Sequence, residues 1–390
     1  MQLYEVAVDR VLDVELRDEF IDRLNYVSKD IVSIEFIEEP KVIFTLEKGT
    51  EEEKDKIKRM TDRFYKSYKF FKNKVLYDHN IEVPNKKDVW DELVSSQAVV
   101  KEENGVVGIS GVCLELLSYF SDQIKKMGEE LGAVEYKYPT LIPIKTMQNI
   151  MYLSSRPESL NFVSRLNEDM NLIDDFSEQA KTIESDVDMS RLGSHFQTDM
   201  INSSAVCFHT YAQYKNRDLN LTDKPLIIGA EGKCFRYESK SMRTLERLRD
   251  FTMREIICLG TEEMISEYIK NVTEKIKLLF EEIGMNYYLA SANDPFFVEE
   301  FSIQSTFQRT FGLKTEVNAR LNGNSSKVAI GSINNHKDFL GRSFHITNNG
   351  KVINSSCAAF GLERCVYAFL NQYGLDKKLW PQIVRENANP

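Results

Sequence analysis

The stretch EGKCFRYESKSMRTLERLRDFTMREIICLG, residues 231–260, sets arginine and glutamate into two segments that otherwise alternate like β-strands. A strand points successive side chains to opposite faces. Cys234, Arg236 and Glu238 therefore share one face of the first segment, and Phe251, Met253, Glu255 and Ile257 share one face of the second. A forked guanidinium can neutralise a phosphate and a phenylalanine ring can stack on a nucleobase, so this face has the parts for a charged, planar ligand. A cross-strand ion pair between Arg236 and Glu255 is the structural use of the same residues. A second stretch, NSSCAAFGLERCVYAFL, passes from strand to helix through Gly361, with Glu363 and Arg364 in the first helical turn. Alone, a glycine hinge and an acidic helix start are common structural choices. Here they follow the hairpin in order, which gives Arg364 its interest. Cys207, Glu255 and Cys357 are more widely scattered. Structural zinc sites usually show close cysteine pairs and four protein ligands, so by spacing alone these three read as core thiols and an unrelated carboxylate.

The elements that must position these residues follow from periodicity. Residues 1–85 read as a small α/β unit: a strand in LYEVAVDRVL, a helix in VELRDEFIDRLNYVSKD, a hairpin in IVSIEFIEEPKVIFTLEKG, and a helix from Glu51 to Lys74 capped by Thr50. The later half of that helix interleaves lysine and arginine with aromatics, either as a solvated face or as a docking face for RNA or an acidic partner. HNIEVPNKKDVWDEL reads as a linker. From about 95 to 390 no further boundary is expected. A helix is predicted over 112–131, helices over 155–182, strands over 200–260 and 300–357 with a helix near 261–284 between them, and a last helix from Gly361. Strands grouped with flanking helices give an α+β fold with an antiparallel sheet.

Composition bounds the function. The chain has 390 residues, 42% of them hydrophobic and 28% charged, with a net charge of −10. That balance fits a soluble globular protein and argues against a general nucleic-acid binder. No apolar run is long enough to span a bilayer, and the acidic start is unlike a secretory signal. Six cysteines without a disulfide-framework spacing point to a reduced, cytoplasmic protein.

Three stretches together resemble the class II aminoacyl-tRNA synthetase catalytic core, over roughly residues 100–385: IKKMGEELGAVEYKYPTLIP, the hairpin, and CAAFGLERCVYAFL. The resemblance implies a sheet that binds a bent ATP and activates a carboxylic acid as its adenylate. It assigns Arg236 to the α-phosphate, Glu238 to the adenine edge, Phe251 to the adenine face and Arg364 to the γ-phosphate, with Arg247 as a further ATP residue. It implies Mg2+ with ATP and a homodimer interface around 115–145.

Within that family the chain is similar to the zinc-dependent seryl-tRNA synthetases of methanogens, and more so to amino acid:[carrier protein] ligases related to them. That resemblance implies one zinc ion held by Cys207, Glu255 and Cys357, with an open fourth position for the substrate amino group. GKCFRYES and VAIGSINNHKDFLGRSF, with Asn335, His336 and Phe339, favour the carrier-protein branch. The chain has neither a long coiled-coil N-terminus nor the large N-terminal domain of the methanogen enzymes. The implied reaction loads a small α-amino acid onto the phosphopantetheine thiol of a carrier protein, and tRNA is not the expected acceptor. A tRNA-charging synthetase and a non-catalytic amino-acid-binding paralogue are the alternatives. Seryl enzymes of bacterial type carry a magnesium-binding glutamate where this chain has Ala329 and Ser332, which leaves Glu316 or Ser332 for the metal. His209 stands where a proline is common.

Overall fold

The first 67 residues enclose a core of their own. Strands β1 (Gln2–Ala7), β2 (Ile31–Phe36) and β3 (Lys41–Leu46) form an antiparallel sheet in the order β1-β3-β2. Its central strand alternates, burying Val42, Phe44 and Leu46. Helices α1 (Val14–Asn25) and α2 (Glu51–Ser67) cover that face with Phe20, Leu24, Ile57 and Phe64. Thr50 Oγ1 accepts the Glu53 amide at 3.3 Å, and the acidic first turn of α2 complements the positive end of its dipole. In this computed structural model residues 1–12, 14–67, 74–181, 193–238, 242–292, 312–322 and 326–388 are described. The aromatic end of the basic helix, 68–73, lies outside them. In the described part three lysines pair along the helix: Lys54 with Glu51, Lys56 with Glu52, and Lys58 with Asp62.

The chain joins a second, larger sheet at β4 (Val75–His79), ahead of the boundary expected near residue 85. Then come α3 (Trp90–Ser95), the hairpin β5 (Val99–Glu103) and β6 (Val106–Ile109), α4 (Gly111–Glu130), β7 (Val134–Tyr136), β8 (Leu141–Pro143), α5 (Ile144–Asn149), α6 (Tyr152–Ser155), β9 (Phe162–Leu166), α7 (Met170–Lys181) and β10 (Phe196–Asn202). The site-bearing part follows as α8 (Cys207–Gln213), β11 (Leu226–Phe235), β12 (Asp250–Gly260), α9 (Glu262–Glu282), β13 (Tyr287–Ser291), β14 (Lys314–Arg320), β15 (Lys327–Lys337) and α10 (Phe339–Phe344). Two-residue strands β16 (Thr347–Asn348) and β17 (Lys351–Val352) precede β18 (Asn354–Gly361), α11 (Leu362–Tyr373) and α12 (Gln382–Asn387).

Among the described residues the large sheet runs β4-β13-β14-β15-β18-β12-β11-β7, antiparallel except where β7 meets β11. One face buries against α4, α9 and α11. The other packs under α5, α8 and α10, and the side chains of β12 divide between the two faces. Ile256 and Cys258 join the helix-covered core, while Met253, Ile257 and Leu259 join the opposite one. Gly331 in β15 is required by close approach, because a Cβ there would come within 2.7 Å of the Phe360 ring. The expected linker is strapped down: Asn85 Nδ2 donates to Asn371 O at 2.7 Å, and its amide to Gln372 O at 3.0 Å.

The expected α+β architecture is found: a largely antiparallel sheet flanked by helices, preceded by a small α/β unit. Local differences remain. The helical reading of 155–182 gives way to strand β9, which pairs with β10, and helical structure returns in α7. The expected strand run from 200 is broken by α8, whose Cys207, Thr210 and Tyr211 fall at helical spacing and are all buried. α10 likewise interrupts the later run, whose beginning at 300–311 lies outside the described residues.

Phe20 meets Phe36, Phe64 and Tyr65 edge-on within the N-terminal core. Truncating it to alanine is expected to cost about 3–5 kcal/mol. In scanning calorimetry, Phe20→Ala should lower one transition and leave the main one in place. A uniform shift of a single transition would show that this core does not unfold separately.

Candidate active site

The loop-side face of the large sheet opens into a cleft of about 690 Å³. Its walls include Arg236, Phe251, Glu255, Cys207, Cys357 and Arg364, so most of the residues singled out by type and order share one space. Two groups of side chains divide it.

The first group is a buried triad. Cys207 opens α8, Glu255 sits mid-strand on β12 and Cys357 on β18, and their ligand atoms all lie within 4.8 Å of one another. Register explains the meeting on the sheet. Glu255 pairs with Ala359 and Ile257 with Cys357, making Glu255 and Cys357 same-face diagonal neighbours. Glu255 is 1% exposed. One oxygen accepts the Val206 amide at 2.8 Å, while Oε2 has no hydrogen-bond partner among the described residues. Burial, together with the nearby Cys357 sulfur, pushes the Glu255 carboxyl up to about 8. The neighbouring Cys357 sulfur, and then burial, raise Cys207 well above its ordinary value. The neighbouring Cys207, aided by His336 and Asn334, holds Cys357 well below its own against burial. Asn334 Nδ2 lies 3.9 Å from the Cys357 sulfur, and His336 Nδ1 is 3.2 Å from the Tyr211 hydroxyl.

Two sulfurs and a carboxylate oxygen form a donor set that suits zinc. The unpartnered Oε2 and the absence of a fourth His, Cys, Asp or Glu from the described cluster fit a three-ligand, open-position centre.

The second group is cationic and aromatic. Arg236, just past β11, lays its guanidinium over the Phe251 ring at 5.3 Å, and Nε donates to Ser204 O at 3.0 Å. No direct ion pair with Glu255 forms, so the cross-strand pairing reading is set aside. Arg364 Nε donates to Glu246 O at 2.6 Å and Nη1 to Ala329 O at 3.1 Å. Glu363 turns inward to accept the Thr252 amide and hydroxyl, tying α11 to β12. Glu316 and Ser332 face each other across β14 and β15 and line the cleft, with Lys314 3.2 Å from the Glu316 carboxylate.

Glu238 and Arg247 are placed differently. They pair with each other at 3.3 Å, Arg247 reaches Asp22 at 2.6 Å, and neither lines the cleft. Conversely, Tyr152, Arg156 and Asn334 line it without having been singled out by sequence. Asn334 carried a usable signal, standing two residues from Ser332 on the same face of a readable strand. Tyr152 and Arg156 carried none, because the short segment bearing them has no clear period. His209, 8% exposed, stacks on Tyr138 at 5.6 Å, and burial lowers it to about 4.

In metal-free protein, the raised Glu255 value has a signed consequence. The folded state keeps its proton between about 4.5 and 8, where the unfolded chain has lost it, so stability falls as pH rises across that window. Urea titrations in chelator should show this slope in the wild type and a flatter one in Glu255→Gln. Equal slopes would refute the buried-carboxyl account.

Comparison with known proteins places this geometry. Residues 203–373 match the family model of the tRNA synthetase class II core domain (G, H, P, S and T). Amino acid–[acyl-carrier-protein] ligase 1 of Bradyrhizobium diazoefficiens is 26% identical over 258 residues, covering 66% of this chain and 77% of that protein. A type-2 serine–tRNA ligase of Methanococcus aeolicus is 24% identical over 269 residues, 66% of this chain and 50% of the relative. Among solved structures, M. kandleri seryl-tRNA synthetase in complex with A. aeolicus tRNASec superposes with a TM-score of 0.74 at 18% identity. That match covers 99% of this chain and 77% of the other.

Proposed function

We propose, for a chain whose residues 203–373 match the class II tRNA synthetase core model, an ATP- and zinc-dependent ligase that adenylates a small α-amino acid and transfers it to the phosphopantetheine thiol of a carrier protein. The observation that carries this reading is the shared cleft: the buried Cys207–Glu255–Cys357 triad opens onto the same space as Arg236, Phe251 and Arg364. Zinc bound by the triad would supply a Lewis-acidic position for the uncharged amino nitrogen of the substrate. Val206 N–H and Asn334 hold the Glu255 and Cys357 ligand groups in place.

The substrate carboxylate oxygen attacks the α-phosphorus, a new P–O bond forms, and the α–β bond breaks to release pyrophosphate. Arg236 and Arg364 are assigned to the α- and γ-phosphates, offsetting charge that grows in the transition state. Phe251 offers its ring to the adenine. Glu316 and Ser332 are the candidates for Mg2+. In the second step the thiol sulfur attacks the adenylate carbonyl, the thioester forms, and AMP and a proton depart. No protein nucleophile is needed.

The carrier as acceptor is supported by the names of the ligase relatives. A homodimer through β7 is supported by its place at the sheet edge, with Val134, Tyr136 and Leu141 exposed nearby.

Purified protein with zinc should catalyse amino-acid-dependent ATP–pyrophosphate exchange with one or more small amino acids. Arg364→Ala should lower that rate by about 100-fold or more with metal content unchanged. Cys207→Ser and Cys357→Ser should each lower zinc content by direct assay, and full occupancy in both refutes the metal site. Thioester should form on a phosphopantetheinylated carrier; transfer to tRNA alone would sink the carrier assignment. Exchange with none of the twenty amino acids would favour a non-catalytic paralogue.

A further inference from the structure

Glu238 and Arg247 stand outside the cleft because another partner holds them. Arg247 Nη1 meets Asp22 Oδ2 at 2.6 Å, bridging 225 positions of sequence from the β11–β12 loop to α1 of the N-terminal domain. Glu238 approaches the same Arg247 nitrogen at 3.3 Å. One helical turn after Asp22, the Tyr26 hydroxyl donates to Tyr237 O at 2.8 Å. Asp22 in α1 and Tyr26, just past its C-terminal end, thus grip the loop at two points.

The gripped loop contains a stiff turn. Arg243 and Arg247 exchange backbone hydrogen bonds, each 3.1 Å, around Thr244 at φ 44°. Leu245 and Leu248 drop into the main core at 1% and 5% exposure. Between them, the carbonyl of Glu246 accepts the 2.6 Å bond from Arg364 Nε. The path from Asp22 to Arg364 is therefore contiguous: an ion pair, a short rigid turn, and a backbone hydrogen bond. Each contact in that path has a defined geometry.

We propose that Asp22 and Tyr26 are positioning residues for the nucleotide half of the cleft. The N-terminal domain braces the 242–249 turn, and the turn sets the Arg364 guanidinium. Glu238 and Arg247 serve this brace. The inference rests on the reading of Arg364 as a nucleotide contact. It gives the N-terminal domain a role in cis, on the loop of its own chain, that requires neither RNA nor the carrier.

Two variants of the full-length protein test it. Asp22→Asn removes the charge with little change of shape, and Tyr26→Phe removes one hydroxyl. Each should raise KM for ATP in pyrophosphate exchange by about 3- to 10-fold, the range of couplings carried through such networks, with KM for the amino acid and zinc content unchanged. Asp22→Glu should recover part of the loss. A second readout needs no activity: amide hydrogen exchange over 242–249 in ligand-free protein should quicken in both variants. Unchanged KM for ATP together with unchanged exchange overturns the brace. Faster exchange with unchanged KM overturns the link to Arg364. Parallel losses in ATP KM, amino-acid KM and zinc content mark general destabilisation and also overturn it. Absence of pyrophosphate exchange in the wild type removes the ligase reading and the nucleotide clause with it, while hydrogen exchange still decides whether α1 braces the loop.

Discussion

The register of β12 is the constraint on which the rest depends. This strand is paired on both sides, with β11 and β18, and is buried on both faces. Its odd-numbered residues, from Phe251 through Met253 and Glu255 to Ile257, face the cleft side. Its even-numbered residues face the helices, where Arg254 meets Glu135 at 2.9 Å and Glu231 at 3.2 Å. A slip of one residue would exchange these sets, driving Arg254 into the cleft and Glu255 into the core beneath α4. Both outcomes bury a charge away from its partners, so hydrophobic alternation and electrostatics enforce the same register.

That register places two chemistries on one ribbon. Phe251 and the approaching Arg236 lie at its open end, and Glu255 lies four residues along, about 13 Å at the strand rise. The deeper end is costly by itself: two thiols and a carboxyl are buried together, and burial with a neighbouring sulfur makes Glu255 and Cys207 hard to ionise. The protein answers with oriented donors, the Val206 amide on Glu255 and the Asn334 amide near Cys357. A divalent cation is the kind of partner that turns this mutual repulsion into attraction. The open end is cationic instead, and its arginines rest on carbonyl oxygens of the surrounding backbone. The cleft is therefore polarised along a single strand.

The helices behind the sheet serve as a fixed wall. α11 is buried almost throughout, and its polar residues are all occupied: Gln372 Nε2 bonds Asn286 O at 2.8 Å and Arg320 O at 2.9 Å, and Asn371 Oδ1 accepts the Asn322 amide at 2.5 Å. A helix held this way along its length gives Arg364, in its first turn, a stable origin. The Glu363 carboxylate completes the attachment by fastening that turn to Thr252. From the N-terminal domain, α1 and Tyr26 just past it touch the β11–β12 loop rather than the cleft.

The sequence by itself determined what can be decided by local periodicity and residue type. Alternation placed Phe251, Met253 and Glu255 on one face, helical spacing marked the helices now seen as α4, α9 and α11, and the order of three stretches identified the core. The same local reasoning failed at α8, a seven-residue helix whose Cys207, Phe208, His209, Thr210 and Tyr211 all have weak helix propensity. It is stable because Cys207, Thr210 and Tyr211 bury together. Spacing alone left Cys207, Glu255 and Cys357 unconnected and only the resemblance grouped them; the tertiary structure brings them together through strand register and helix docking across long separations. It also decided that Arg247 answers to Asp22 and not directly to the cleft. No local pattern encodes a contact between residues 225 positions apart; such a pair exists only once two independently built surfaces are brought together.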